Sequence, residues 1–122
     1  MPRFPKTSKL LRHGDFQRVY QQGRRHFAAH MTVFYLRREE KDTDGGPRVG
    51  LTVGRVLGGA VQRNRIKRRL REAVRHHLAS LALAVDVVIN PKKSALAAEF
   101  TVLNDQIARA FQLISENESR RA

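Results

Sequence analysis

The sequence contains no cysteine among its 122 residues. That absence excludes a disulfide framework, cysteine-ligated zinc sites and thiol catalysis, and it suits a protein of the reducing cytoplasm. The first residues carry no apolar segment followed by a cleavage site, and no run approaches the roughly eighteen apolar residues that a membrane span requires. We therefore predict a cytoplasmic protein with no membrane partner.

Acidic residues are scarce: 11 Asp and Glu oppose 24 Lys and Arg, for a formal net charge of +13. Six of the 11 acids fall in one predicted loop or in the C-terminal tail, namely Glu39, Glu40, Asp42, Asp44, Glu116 and Glu118. A cationic surplus of this size is the electrostatic signature of a nucleic-acid-binding protein. The alternative is a basic protein whose charge serves solubility alone.

The chain has the length of one domain, and a hydrophobic content of 41% supports a single core. Hydrophobic periodicity predicts helices over residues 13–22, 58–81 and 100–114 and strands over residues 27–36, 48–56 and 85–89. We interpret this order as one α+β domain over residues 10–115. A basic arm at 1–9 precedes it, and a polar tail at 116–122, which we expect to fray, follows it.

Local patterns add expectations about these elements. We interpret the strands over 27–36 and 48–56 as an antiparallel hairpin, because the turn residues of KDTDGGP separate them. Alternation places Phe27, Ala29, Met31, Val33 and Tyr35 on one face of the first strand. Gly23 is placed to end the first helix in a left-handed conformation. Asn90 and Pro91 are expected to stop the last strand, which is apolar and β-branched apart from Asp86 and so predicted to be buried.

One segment concentrates the charge: Gly58 to Arg75 holds seven Lys or Arg and a single acid. Its apolar residues recur at helical spacing, which predicts an amphipathic helix with one basic face. Six of the seven cations are arginine, whose planar guanidinium suits phosphate contacts and base stacking better than an ammonium does. The residues predicted to bind RNA are Arg63, Asn64, Arg65, Lys67, Arg68, Arg69 and Arg71. The alternative is a merely solvated helix face.

Aromatic side chains supply the second half of a surface for single-stranded nucleic acid, because bases stack on flat rings while cations follow the phosphates. Phe16 and Tyr20 fall on one face of the first predicted helix, and Phe34 lies on the opposite strand face from Tyr35. We predict that Phe16, Tyr20 and Phe34 converge on one groove. The alternative for each ring is packing in the core.

Catalysis by this chain is not indicated, because no nucleophile, general base and orienting group lie close together in sequence. His26 and His30 would share a strand face, where a two-ligand metal site is the alternative to solvated or phosphate-facing side chains. His76 and His77 are placed to interact with a helix C-terminus. The pair Gly58-Gly59 lacks the spacing of a phosphate-binding loop. We predict no catalytic residue, no metal ligand and no small-molecule substrate.

Three stretches resemble one known family. They are DFQRVYQQG (Asp15 to Gly23), RVGLTVGR (Arg48 to Arg55) and GGAVQRNRIKRRLRE (Gly58 to Glu72), the last of which looks like an RNR signature following a strand. The resemblance is to the protein subunit of bacterial ribonuclease P, and it extends over most of residues 10–114. Two departures from the family pattern are Val56, where a second basic residue is common, and Asn90-Pro91-Lys92, where an Ala-Arg pair is common.

The resemblance implies a cofactor of a ribozyme. In such an enzyme the catalytic RNA, with Mg2+ held mainly by that RNA, hydrolyses the phosphodiester that joins the 5′ leader to mature tRNA. The implied partners are ribonuclease P RNA and the leader of precursor tRNA. The implied fold is a mixed four-stranded sheet with helices, similar to ribosomal protein S5 domain 2, with a left-handed crossover around the RNR helix. A fourth strand is then expected in the hairpin region.

The resemblance also implies roles for individual residues. The RNR helix would face the catalytic RNA, a leader cleft would use Phe16, Tyr20, Phe34 and Arg55, and further basic contacts would come from Lys9, Arg12 and Lys92. A ribosomal or other structural RNA-binding protein is the alternative function. A protein-only nuclease and a helix lying on a membrane are weaker alternatives, because the acids are scattered in sequence and the apolar stripe is needed for the core.

Overall fold

A computed structural model describes residues 13–38 and 46–119. The predicted arm, with Lys9 and Arg12, and most of the KDTDGGP loop lie outside these residues. The helices and strands are α1 His13–Gln22, β1 Arg24–Phe27, β2 Met31–Arg37, β3 Arg48–Leu51, α2 Ala60–His77, β4 Val85–Pro91 and α3 Phe100–Ser119. Short 3-10 turns cover Arg55–Leu57, Leu78–Ser80 and Lys93–Leu96. Within the described chain these elements form one small α+β domain with a mixed four-stranded sheet.

The strand order β1-β2-β4-β3 corrects the predicted hairpin. β4 lies between β2 and β3, pairing antiparallel with β2 and parallel with β3. The physical reason is burial: Val85 to Ile89 are all buried, as predicted for this strand, and a strand buried on both faces belongs in the middle of a sheet. β3, α2 and β4 therefore form the parallel strand-helix-strand unit.

The antiparallel hairpin of the structure is β1 with β2, so the strand predicted over 27–36 is in fact two strands. The backbone N–H of Ala28 donates to the carbonyl of Met31 at 2.9 Å and closes the turn between them. β1 is the fourth strand that the resemblance implied. The prediction that Phe27 shares a strand face with Met31, Val33 and Tyr35 was wrong, because Phe27 is opposite Thr32 in the β1–β2 register and its side chain is 67% exposed.

The main core lies between one face of the sheet and the helices α2 and α3. Met31, Val33 and Tyr35 of β2 are buried there, as the alternation predicted. The helices contribute Ile66, Leu70, Ala73 and Val74 from α2 and Leu103, Ile107, Ala110, Phe111 and Ile114 from α3. No helix among residues 13–38 and 46–119 combines the length and the apolarity needed to cross a membrane.

The other face of the sheet carries α1, which packs on β2 and β4. Val19 of α1 and Val88 of β4 are fully buried but lie outside the main core cluster. An ion network supports this side. Asp86 is 1% exposed, accepts two bonds of 2.7 Å from Arg48 and one of 2.7 Å from Arg38, and Arg48 also reaches Asp15 of α1 at 3.5 Å.

Gly23 ends α1 for a different reason from the predicted one. Among the described residues the one glycine with a positive φ is Gly58, at 124°, so the left-handed assignment of Gly23 was wrong. A Cβ on Gly23 would lie 2.5 Å from the carbonyl oxygen of Val19 and 2.6 Å from that of Tyr35. The missing side chain therefore allows the end of α1 to approach the backbone of β2 closely.

Three predicted boundaries also move. β3 ends at Leu51 rather than at Val56, and β4 continues through Asn90 and Pro91 instead of stopping before them. α3 continues through residues 116–119, which were assigned to a fraying tail. That tail was predicted from its polarity, but Arg37 donates to the carbonyl of Glu118 at 2.7 Å and Asn117 donates to the Tyr35 hydroxyl at 3.2 Å. These bonds hold the last helical turn against β2.

Candidate nucleic-acid interface

The basic helix predicted from the sequence is α2. Its apolar stripe is buried and its basic residues lie on the remaining faces, because residues three and four apart share one side of a helix. The helix begins at Ala60, shortly after the 3-10 turn. Gly59 is its N-cap, and Gly58, before it, has a positive φ. Asn64, Arg65, Arg68 and Arg71 are exposed, whereas Arg63, Lys67 and Arg69 are half-buried.

Arg69 has a structural partner that the sequence did not indicate. Its guanidinium donates to the carbonyl oxygens of Ala95, at 3.4 Å, and Ala98, both in the segment between β4 and α3. The charge of Arg69 remains near the basic face, but part of its donor fork is used to hold this segment. Arg69 is therefore a less available phosphate ligand than Arg65 or Arg68.

The second half of α2 is less basic than its sequence suggests. Arg75 donates to the Glu72 carboxylate, and His76 Nε2 lies 3.1 Å from the same carboxylate. The bond from Arg75 lowers the pKa of Glu72 below its usual value, and the same bond raises the pKa of Arg75. The unpaired positive charge of α2 is thus concentrated between Arg63 and Arg71.

A groove of about 440 Å³ opens between α1, the end of β3 and α2. Its lining residues are Phe16, Gln17 and Tyr20 of α1, Leu51, Thr52, Val53 and Gly54 of the β3 end, and Lys67 of α2. Lys67 was predicted as a member of the basic helix, and the structure places it in the wall of the groove. The groove and the basic face of α2 are therefore adjacent surfaces that meet at Lys67.

Two of the three predicted rings line this groove, and the third, Phe34, is not a lining residue but contacts one of them. Phe16 and Tyr20 line it, and the Phe34 ring packs edge-on against Tyr20 with centroids 4.9 Å apart. All three are half-buried and lie outside the main core cluster, so the alternative of core packing was wrong for them. Arg55, also predicted for the cleft, is exposed and directly follows Gly54, the last lining residue of the β3 end.

The hydroxyl group of Tyr20 bonds to β4 and to the segment that follows β3. It donates to Asn90 Oδ1 of β4 at 3.0 Å and lies 3.0 Å from Thr52 Oγ1, from which it can accept. Asn90 had been noted as a departure from the family pattern, and Thr52 had not been singled out at all. These partners are 70 and 32 residues from Tyr20, so local sequence carries no signal for them.

Arg25 is another residue that the sequence reasoning missed. Its guanidinium carbon lies 5.4 Å from the centroid of the Phe34 ring, within the range of a cation–π contact. A predicted pairing of β1 with β2 would have placed Arg25 opposite Phe34, as the structure does. This pairing was missed because β1 had not been recognised as a strand.

His26 and His30 were predicted to share a strand face, but they do not. His26 belongs to β1, whereas His30 lies in the following turn and places Nδ1 2.8 Å from Ser94 Oγ. His76 faces Glu72 and Asn104 at the end of α2, near the helix C-terminus as predicted. Within residues 13–38 and 46–119, no three His, Asp or Glu side chains cluster as a metal site.

Lys92, predicted as a further basic contact, is exposed and donates to the carbonyl of Ala28 at 3.1 Å.

The chain is similar to known proteins over most of its length. The sequence model of the family described as Ribonuclease P matches residues 4–115. The ribonuclease P protein component of Acidothermus cellulolyticus is 36% identical over 115 residues, covering 94% of each chain. That of Carboxydothermus hydrogenoformans is 32% identical over 108 residues, covering 88% of this chain and 91% of the relative.

The fold has solved counterparts as well. The structure of the Staphylococcus aureus RNase P protein superposes with a TM-score of 0.76 at 26% identity, over 89% of this chain and 96% of that one. The RNase P protein from Thermotoga maritima superposes with a TM-score of 0.74 at 21% identity, over 85% of this chain and 94% of that one. The four-stranded sheet and the helices packed on it therefore have the arrangement found in these proteins.

Proposed function

Because the chain belongs to the bacterial ribonuclease P protein family, we propose that it is the protein cofactor of a ribonuclease P ribozyme. In this role it binds the catalytic RNA and the single-stranded 5′ leader of precursor tRNA, and it promotes the endonucleolytic cleavage that matures the 5′ end. It is a subunit of an endoribonuclease that works in the bacterial cytoplasm.

The observation that carries this proposal is the meeting of the groove and the basic face at Lys67. The groove offers flat rings at Phe16 and Tyr20 and one ammonium, which is the composition expected of a channel for single-stranded RNA. The basic face offers exposed guanidinium groups at Arg65, Arg68 and Arg71, which suit phosphates of a large folded RNA. One small domain can thus contact two RNAs at the same time.

The side chains of the groove are suited to binding rather than to hydrolysis. Its described lining consists of aromatic, aliphatic, hydroxyl and amide groups with one lysine, and neither a carboxylate nor an imidazole is among them. We assign the chemistry to the RNA subunit, where Mg2+ is mainly held. The protein contributes by reducing phosphate repulsion between the two RNAs and by fixing the leader, which raises substrate affinity.

A comparison of two substrates tests the proposal. The affinity of the reconstituted RNA–protein enzyme is measured for precursor tRNA and for mature tRNA, which has no leader. Tighter binding of the precursor is expected only when the protein is present. Lys67→Gln should reduce that preference by roughly three- to tenfold, since it removes one charge-assisted contact to the leader.

A matched control removes the same charge elsewhere. Arg109 is exposed on α3, on the side of the sheet opposite the groove, so Arg109→Gln should leave the preference for the precursor unchanged. If the protein strengthens binding of both tRNAs equally, leader recognition is wrong and a structural RNA-binding protein becomes the better description.

A further inference from the structure

Phe27 is the one aromatic ring among the described residues that is largely exposed, at 67%. It ends β1, the outer strand of the sheet, and it faces Thr32 in the β1–β2 register. Arg25 faces Phe34 in the same register. Because directly opposite residues share a sheet face, and because side chains alternate along a strand, Arg25, Phe27 and Phe34 lie on one face.

That face is continuous with the groove. The Arg25 guanidinium lies over the Phe34 ring at 5.4 Å, the Phe34 ring contacts Tyr20 at 4.9 Å, and Tyr20 lines the groove. A path of rings and cations therefore crosses the sheet from Lys67 to the outer edge at Phe27. β1 and β3 are separated by three strand spacings of about 4.8 Å, so the path spans roughly 14 Å across the sheet.

We propose that Arg25 and Phe27 form an outer subsite for the part of the single-stranded 5′ leader farthest from the cleavage site. A base stacks on the exposed Phe27 ring, and the Arg25 guanidinium, positioned over the Phe34 ring, donates an N–H to a phosphate. This inference rests on the proposed function. The direction follows from α2: the catalytic RNA is assigned to its basic face, so the cleavage-proximal leader lies near Lys67 and the distal leader near β1.

The chemistry of this surface favours RNA as the occupant. Arg25 is exposed on β1, and Lys92 is exposed where the end of β4 bonds to the β1–β2 turn. An aromatic ring among several cations, continuous with a groove assigned to RNA, is the combination by which proteins bind unpaired nucleotides.

The test is a leader-length series with the reconstituted enzyme. Precursor tRNAs are prepared with leaders lengthened one nucleotide at a time, and the dissociation constant of each is measured for the wild type and for Phe27→Ser, Phe27→Tyr and Arg25→Gln. For the longest leaders, Phe27→Ser should weaken binding by roughly 5- to 100-fold, the loss expected for one stacked base. Phe27→Tyr should retain affinity because the ring is kept.

The shape of the curves is the decisive result. As the leader is lengthened, the affinity of the wild type should continue to rise after the affinities of Phe27→Ser and Arg25→Gln have reached a plateau. The shortest leaders should bind the wild type and all variants equally well. Arg24→Gln is the matched control, since Arg24 is adjacent to Arg25 but lies on the opposite strand face, and its curve should follow the wild type.

Two other outcomes are distinguishable. If the wild-type affinity rises with leader length and the Phe27→Ser curve follows it throughout, the outer subsite is wrong while the leader groove stands. If the wild-type affinity does not depend on the leader at all, the proposed function itself fails.

Discussion

At the scale of single residues, Tyr20 contributes to the groove with both parts of its side chain. The ring lines the groove and contacts Phe34, while the hydroxyl joins α1 to Thr52 and Asn90. The ring is available for stacking with RNA, and the hydroxyl sets where α1 lies over the sheet. These two contributions can be separated by substitution.

Tyr20→Phe removes the hydroxyl and keeps the ring. We expect the free energy of unfolding to fall by about 0.5–1.5 kcal/mol, the usual net value of an intramolecular hydrogen bond, measured by urea denaturation. Affinity for the leader should change much less than in Tyr20→Leu, which removes the flat ring as well. The two variants binding the leader equally weakly would contradict stacking as the function of the ring.

Asn90→Ala provides an internal check on the same bond. Because Tyr20 and Asn90 share one interaction, the double variant should lose less stability than the sum of the two single variants.

The residue types of the site could be predicted from the sequence, but their partners could not. Phe16 and Tyr20 are one helical turn apart, and the density of arginine in α2 is visible without a structure. Asp86 stands out in the sequence as the one acid within an apolar run, but its burial against Arg38 and Arg48 does not. Such pairs join residues distant in sequence, so only the folded chain shows them.

At the scale of elements, the groove depends on how closely α1 approaches β2. Gly23 permits that approach, because any Cβ there would meet two carbonyl oxygens at 2.5 and 2.6 Å. A side chain at Gly23 is therefore expected to change both the wall of the groove and the free energy of unfolding.

Gly23→Ala is expected to lower the free energy of unfolding by about 1–3 kcal/mol, since the contacted atoms are backbone and cannot turn aside. The same variant should bind precursor tRNA more weakly, because the end of α1 is displaced from β2. Urea denaturation and the precursor-to-mature affinity ratio measure the two effects.

Gly14→Ala is the control within the same helix. Apart from α1 itself, no atom of the described residues lies within 4 Å of a Cβ placed at Gly14, so the substitution should be neutral or stabilising by up to about 1 kcal/mol, as alanine favours helix. Equal losses of stability at the two glycines would show that close packing at Gly23 is not the cause.

The types of the elements followed from periodicity, whereas their pairing did not. The stripes of α2 and α3 and the apolar run of β4 were visible as local patterns, because a helix or a buried strand repeats over several residues. The strand next to β3 depends on where β4 enters the sheet. The length of the loop between two strands does not reveal that position. The four residues of β1 were too short and too polar to be recognised.

At the scale of the whole molecule, charge and shape favour the same orientation. α2 exposes Arg65, Arg68 and Arg71, whereas α3 exposes Asp105 and Glu116 beside Arg109. The groove and the outer edge at β1 lie on the sheet face opposite α3. We therefore expect the RNAs to contact α2 and the α1 side of the sheet, with α3 turned away from them.

The most direct test of the cofactor function is single-turnover cleavage of a precursor tRNA by a bacterial ribonuclease P RNA, at low Mg2+ and moderate salt, with and without this protein. The protein should restore cleavage at the mature 5′ end, and Arg65→Ala should weaken that rescue by roughly 10- to 100-fold, the loss of a hydrogen bond to a charged group. Binding of the RNAs with no change in the cleavage rate would contradict the cofactor function, and cleavage without the RNA subunit would contradict the assignment of the chemistry to RNA.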